Sequence, residues 1–198
     1  MRSNSESVRQ CTGLPRRPKE LLAMTKKLGI DCDCRYERCE AIQKEGNFMA
    51  NEIVIYTDGG CSGNPGPGGW GIVVIADGVA KQLSGGENPT TNNRMELMAA
   101  INALSVIKKT PGFSERPVIV NIDSQYVKNG ITTWIKSWKV KGWKTADKKP
   151  VKNQDLWIVL DELNNSLNVS WNWVKGHAGV EYNEVCDQLC QKEIKKFL

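Results

Sequence analysis

A regular alternation of apolar and polar positions becomes legible only from Asn51 onward. Ile53–Thr57 is a short run rich in β-branched residues that ends in Asp58 and a glycine-rich turn. Trp70–Ala76 and Val79–Leu83 flank Asp77-Gly78, a two-residue hairpin signal, so three successive antiparallel strands are expected. Past Thr91 or Asn92, Met95, Met98, Ala99, Ile101 and Leu104 recur near helical spacing, predicting a helix to about Lys109. Pro117 precedes a fourth strand, Val118–Ile122, that stops at Asp123. Ser124 opens another helix, and Trp134–Val140 continues helically before Gly142. A helix over Asn153–Leu163, a strand over Val169–Val174, a loop centred on Gly176–Gly179 and a helix from about Tyr182 complete the pattern. This order predicts an α/β domain with one mixed sheet and helices on both faces.

Residues 1–48 differ in character. Their periodicity is weak, they contain Pro-Arg-Arg-Pro, and only a short helix around Lys19–Leu28 is plausible. They are expected to be a poorly structured N-terminal extension of unknown role ahead of a domain over 49–198. Met49 followed by Ala-Asn-Glu reads like a start of translation, so a genuine appendage and a frame opened too far upstream both stay open. Cys11, Cys32, Cys34 and Cys39 lack the two-residue spacing usual for zinc and have no nearby histidine, which favours free thiols. Seven cysteines make an odd number without a disulfide-like framework. No apolar run approaches membrane-spanning length and no secretory signal is evident, so the expected compartment is the cytoplasm.

Charge changes the picture once it is located. The chain carries 27 basic and 22 acidic residues, a formal +5. Residues 134–152 hold seven lysines against the single acid Asp147, while the rest of 51–198 is net acidic. A concentrated basic stretch on an acidic domain suggests a polyanion docked at one edge, with a solvated lysine face as the plainer alternative.

Against that background four acids stand out: Asp58 and Asp123 at strand ends, Glu96 and Asp187 in the first turns of helices. Each alone reads as a solvated or capping residue. Functional residues of open α/β sheets gather at such places, and four carboxylates sharing one rim need divalent cations to neutralise them. Oxygen-only ligation suits Mg²⁺, with Mn²⁺ as a substitute, rather than zinc. Two such ions about 4 Å apart form a clamp for displacement at phosphorus. No serine or cysteine triad competes, because the chain has one histidine, His177, in a glycine-flanked loop suited to proton movement or product release.

The motifs then accumulate in order: Tyr-Thr-Asp-Gly-Gly-Cys with Gly-Asn-Pro-Gly-Pro-Gly-Gly-Trp, Thr-Thr-Asn-Asn-Arg-Met-Glu-Leu-Met-Ala-Ala, Asp-Ser-Gln-Tyr-Val, Trp-Lys-Thr-Ala-Asp-Lys-Lys-Pro-Val-Lys-Asn, Trp-Val-Lys-Gly-His-Ala-Gly and Asn-Glu-Val-Cys-Asp. From about Met49 the chain resembles the bacterial type 1 ribonucleases H. The resemblance implies a ribonuclease H-like fold, a five-stranded mixed sheet of three antiparallel strands followed by two parallel ones. It implies endonucleolytic cleavage of the RNA strand of an RNA–DNA hybrid with two Mg²⁺ ions, leaving a 5′-phosphate and a 3′-hydroxyl. It makes Asp58, Glu96, Asp123 and Asp187 the metal-binding carboxylates, with Asp58 as bridge, and it matches His177 and Glu184 to residues of product release.

Substrate contacts follow in two groups. Cys61 and Asn64 in the glycine-rich turn, with Asn92 and Gln125 beside the acids, are suited to reading 2′-hydroxyls and base edges in the minor groove. Turn formation or capping is the plainer reading of the two asparagines. By resemblance, Thr91 and Asn153 would hold a DNA phosphate and Trp134 would pack on a deoxyribose. Lys136, Lys139, Lys141, Lys144, Lys148, Lys149 and Lys152 would form a basic handle, in which at least one of Trp134, Trp138 and Trp143 serves to anchor the protrusion itself. Pro89 stands where some relatives carry an arginine, Val180 and Tyr182 vary the loop after His177, and the chain ends eleven residues after Asp187. A monomer is expected. Another nuclease of the same fold and a non-catalytic hybrid-binding protein are the rival readings. The first is disfavoured by the basic protrusion and the second by the intact set of acids.

Overall fold

The structure is a computed structural model that describes residues 51–176 and 178–198. The expectations for residues 1–48, for Cys11, Cys32, Cys34 and Cys39, and for His177 lie outside the described residues. Strands β1 (Ile53–Cys61), β2 (Gly66–Ala76) and β3 (Val79–Thr90) form an antiparallel meander. Helix α1 (Asn92–Lys109) leads to β4 (Pro117–Ile122), which pairs parallel with β1. One helical run follows, comprising α2 (Gln125–Asn129), a π-helical turn (Gly130–Trp134) and α3 (Ile135–Val140). Then come α4 (Gln154–Ser166), β5 (Asn168–Trp173), parallel to β4, and α5 (Glu181–Ile194) with a 3₁₀ turn at Lys195–Phe197. The sheet order is β3-β2-β1-β4-β5, the five-stranded mixed sheet expected from the sequence.

Alternation along β1 explains how helices come to cover both faces. A Cβ on Gly59 would meet the α1 backbone, 2.5 Å from the Glu96 nitrogen, while one on Gly60 would meet Cys190 of α5. Successive residues of a strand face opposite ways, so α1 and α5 lie on opposite sides of the sheet. On the α1 side, Ile53, Ile55 and Ile72 join Leu97, Leu104 and Ile107 in one core that continues to Leu156, Trp157 and Leu160 of α4. On the other side Cys186 and Cys190 are both buried, as their four-residue spacing predicts.

The first three strands run further than the periodicity suggests. β1 continues four residues past Thr57, β2 starts at Gly66 rather than Trp70, and β3 reaches Thr90 rather than Leu83. These additions are rich in glycine, which is disfavoured in strands by propensity. Tertiary packing overrides that preference. A Cβ on Gly71 would sit 2.2 Å from the Cys186 carbonyl oxygen, and one on Gly69 would sit 2.5 Å from that of Cys190. Helix α5 therefore lies with its backbone directly on β2, which only glycine permits.

The helical run over 125–140 is capped by Ser124, whose hydroxyl accepts from the Val127 N–H at 3.4 Å. Its π turn starts at Gly130, where a Cβ would fall 2.0 Å from the buried Trp157 ring. Beyond α3 the chain loops back, closed by the Trp143 N–H donating to the Trp138 carbonyl at 2.7 Å and the Val151 N–H to that of Trp143 at 3.0 Å. Trp138 rests edge-on to Trp157 with centroids 5.3 Å apart, and Trp143 also packs partly buried against the core, so both anchor the protrusion.

Replacing Gly71 by Ala should destabilise the domain by about 1–3 kcal/mol, the range for overpacking against an unyielding neighbour. Gly60→Ala, whose Cβ would meet only the Cys190 sulfur at 3.5 Å, should cost far less. Chemical denaturation of the two variants checks the contrast.

Candidate metal centre

Asp58 lies on β1 opposite Gly71 of β2, one residue beyond the last β1–β4 pair, Thr57 with Ile122. It therefore ends the parallel pairing but not the strand, a correction to the expected strand-end position. Asp123 follows Ile122 directly, so the two aspartates emerge side by side where β1 and β4 part. Glu96 comes from the second turn of α1, brought in by the close approach of that helix at Gly59. One carboxylate oxygen from each of the three lies within 4.8 Å of the others.

The surroundings sharpen the clustering. Glu96 Oε2 and Asp123 Oδ1 are buried and accept no hydrogen bond among the described residues. Burial, then the charges of Asp58 and Asp123, holds the Glu96 carboxyl well above the usual glutamate range. Asp123 is tethered through its other atoms: its Oδ2 accepts from Asn183 Nδ2 at 3.3 Å and its carbonyl from Trp173 Nε1 at 3.1 Å. A Cβ on Gly176 would fall 2.8 Å from that same Oδ2. Asn183, Trp173 and Gly176 stand inside the motifs but received no role from the sequence, since their part depends on which acid they touch.

Carboxylate oxygens left unsatisfied in a partly buried rim fit a hard divalent cation, and the absence of sulfur or imidazole from the trio argues against zinc. Asp187 is half-buried on α5 and stands outside the close trio, its Oδ1 accepting from Gln191 Nε2 at 3.4 Å. Glu184 is exposed one turn earlier on the same helix. Behind the rim, burial followed by the charge of Asp58 pushes the Cys190 thiol up to about 12, so it stays protonated and donates to the Gly69 carbonyl at 3.1 Å.

The expected contact residues fall around this rim. The Asn92 Oδ1 accepts from the Cys61 backbone N–H at 2.7 Å, tying the start of α1 to the end of β1. Gln125 is exposed at the start of α2. Thr91 and Asn153 occupy helix N-cap positions without using their side chains to cap, and Asn153 adopts a left-handed backbone at φ 54°. Both instead line a cavity of about 330 Å³ with Asn64, Asn93 and Lys152. Asn93 and Lys152 complete that polar lining. Trp134 is 38 % exposed and makes a tilted ring contact with Trp138, centroids 5.8 Å apart. Lys136, Lys141 and Lys144 are exposed, whereas Lys139 is bound to Asp161. Among the described residues no helix is long and apolar enough to cross a membrane.

Comparison with known proteins agrees with this geometry. The family RNase H matches residues 50–195. Ribonuclease H of Cupriavidus metallidurans is 57% identical over 145 residues, covering 72% of this chain and 95% of that protein. Among solved structures, LC9-RNase H1, described as a type 1 RNase H with the type 2 active-site motif, superposes with a TM-score of 0.67 at 30% identity, over 77% of this chain and 76% of its own. LC11-RNase H1, solved in complex with an RNA/DNA hybrid, superposes with a TM-score of 0.56 at 25% identity, over 73% and 97%. The chain belongs to the ribonuclease H family and is a ribonuclease H enzyme.

In chelator, Glu96→Gln should raise the melting temperature at pH 7–8 by a few degrees. The folded-state carboxyl is raised, so the stability it withholds grows as pH rises above the unfolded value near 4.3. The advantage of the variant should therefore shrink as the pH falls toward 4, which thermal melts across pH will show.

Proposed function

We propose that residues 49–198 cleave the RNA strand of RNA–DNA hybrids endonucleolytically, using two Mg²⁺ ions and leaving 5′-phosphate and 3′-hydroxyl ends. The observation that carries this reading is the Asp58, Glu96 and Asp123 trio, with two buried carboxylate oxygens that lack partners, in a chain of the ribonuclease H family. The hybrid complex of LC11-RNase H1 supports the substrate class. Bound at this rim, the two ions would activate the attacking water, stabilise the departing oxygen and neutralise charge on the phosphate.

The chain's own residues would divide the work. Asp58, Glu96 and Asp123 would hold the ions at the rim, with Asp58 the shared ligand that the resemblance implies, and Asp187 would complete the set from α5. His177 and Glu184 would move the proton and help release the product. Cys61, Asn64, Asn92 and Gln125 would sense the RNA strand through its 2′-hydroxyls. The cavity of Thr91, Asn93, Lys152 and Asn153 offers hydroxyl, amide and ammonium donors, the set suited to a DNA phosphate. Trp134 would lie against a deoxyribose, and Lys136, Lys141 and Lys144 would add sequence-independent affinity. The enzyme would act as a monomer.

Labelled RNA–DNA hybrid, double-stranded RNA and double-stranded DNA, each incubated with Mg²⁺, Mn²⁺ or chelator, test the reading. Only the hybrid should be cut, with metal. Equal cleavage of all three, or activity in chelator, would overturn it. Asp58→Asn should lower kcat by at least roughly 10²–10³-fold, as expected for loss of an electrostatic stabiliser, while hybrid binding persists. Joint replacement of Lys136, Lys141 and Lys144 by Ala should raise KM sharply with kcat nearly intact, measured at physiological salt.

A further inference from the structure

The lysines of the protrusion are not equivalent. Among the described residues, Lys139 is the only lysine of the 136–152 stretch in an ion pair. Its Nζ lies 2.6 Å from Asp161 Oδ2. The pair joins α3 to α4 beside the Trp138–Trp157 contact, since Lys139 follows Trp138 and Asp161 lies one helical turn after Trp157. The two partners differ in surroundings: the Asp161 side chain is only 15% exposed, against 49% for Lys139. A carboxylate that sheltered depends on its cation, because removing the partner would leave a largely desolvated charge. A phosphate would have to compete with Asp161 for Lys139, whereas Lys136, Lys141 and Lys144 carry no such obligation.

We propose that Lys139 is a strut at the base of the protrusion rather than a phosphate ligand, and that Asp161 sets how many cations the protrusion offers a nucleic-acid backbone. This rests on the hybrid-binding reading above and refines it. Paired with Asp161, Lys139 is held down on α4 and adds little to the counterion release that drives backbone binding. Neutralising Asp161 frees Lys139 to swing outward on its flexible stem and join the other lysines. Affinity and salt sensitivity would rise together, through a residue that itself touches no substrate. The device limits non-specific hold on nucleic acid while keeping α3 fixed to the core.

The test reads the slope of log KM for an RNA–DNA hybrid against log [KCl] from 50 to 200 mM at fixed Mg²⁺, with melting temperatures taken alongside. Each phosphate contact contributes about 0.9 to such a slope, equivalent to a roughly three- to fourfold change in KM over that range. Lys136→Ala, Lys141→Ala and Lys144→Ala should each flatten the slope. If none does, the basic-handle reading fails, whatever Lys139 does. Given a working handle, Lys139→Ala should leave the slope unchanged while lowering the melting temperature. Asp161→Asn, nearly isosteric, should steepen the slope by about 0.9, and Asp161→Asn with Lys139→Ala should return it to the parental value. Lys139→Ala flattening the slope as its neighbours do would overturn the proposal, as would an unaltered slope in folded Asp161→Asn. A steeper slope that survives in the double variant would also overturn it, showing loss of negative charge alone. Should Asp161→Asn melt below the assay temperature, Asp161→Ser read with the same double-variant comparison decides in its place.

Discussion

The arrangement depends above all on two helix backbones lying directly against sheet positions that carry no side chain. At Gly59 the α1 backbone is close enough that a Cβ would sit 2.4 Å from the Met95 carbonyl carbon, and at Gly69 and Gly71 α5 comes equally near. An ordinary helix–sheet contact keeps a layer of side chains between the two elements. Removing that layer at these points draws in Glu96 from α1 and sets α5, with Asp187, against β2. The glycines that look like strand breakers are therefore the condition for carboxylates from separate segments to share one rim.

That rim is electrostatically costly and the rest of the fold is built to hold it. Like charges and burial both work against the ionised form of Glu96, and two buried carboxylate oxygens lack partners. Asp123 is tethered from two different places, Asn183 on α5 and Trp173 at the end of β5, and Gly176 packs closely against it from beyond that strand. A site held from so many sides cannot relax by moving one acid away, so the charge is left for cations to neutralise. The protrusion is organised in the opposite sense. Its cations stand apart on a base of tryptophans in tilted and edge-on contact, and one of them is bound to the core through Asp161.

Much of this was legible in the sequence, for identifiable reasons. The Asp77-Gly78 hairpin, the helical spacing from Met95 to Leu104 and the Ser124 cap are local signals, and each element formed where those signals lie. Asp58, Glu96 and Asp123 could be picked out because acids at such positions have little to do in packing. The ends of β1, β2 and β3 could not be read, because glycine in a strand is stabilised only by what packs on it from elsewhere in the chain. The tethers on Asp123 were hidden for the same reason, as were the places of Asn64, Asn93 and Lys152 in the cavity where the resemblance had paired Thr91 with Asn153.

The protein's family, its order of elements and its candidate acids were legible in sequence alone, since they reside in local pattern and in motifs that survive without coordinates. Tertiary structure decided the distances: that three acids form a close trio with Asp187 standing outside it, and that Lys139 is occupied while its neighbours are not. Like-charge repulsion and ion pairing vary steeply over a few ångströms, and the sequence lists charges without stating how far apart folding will leave them.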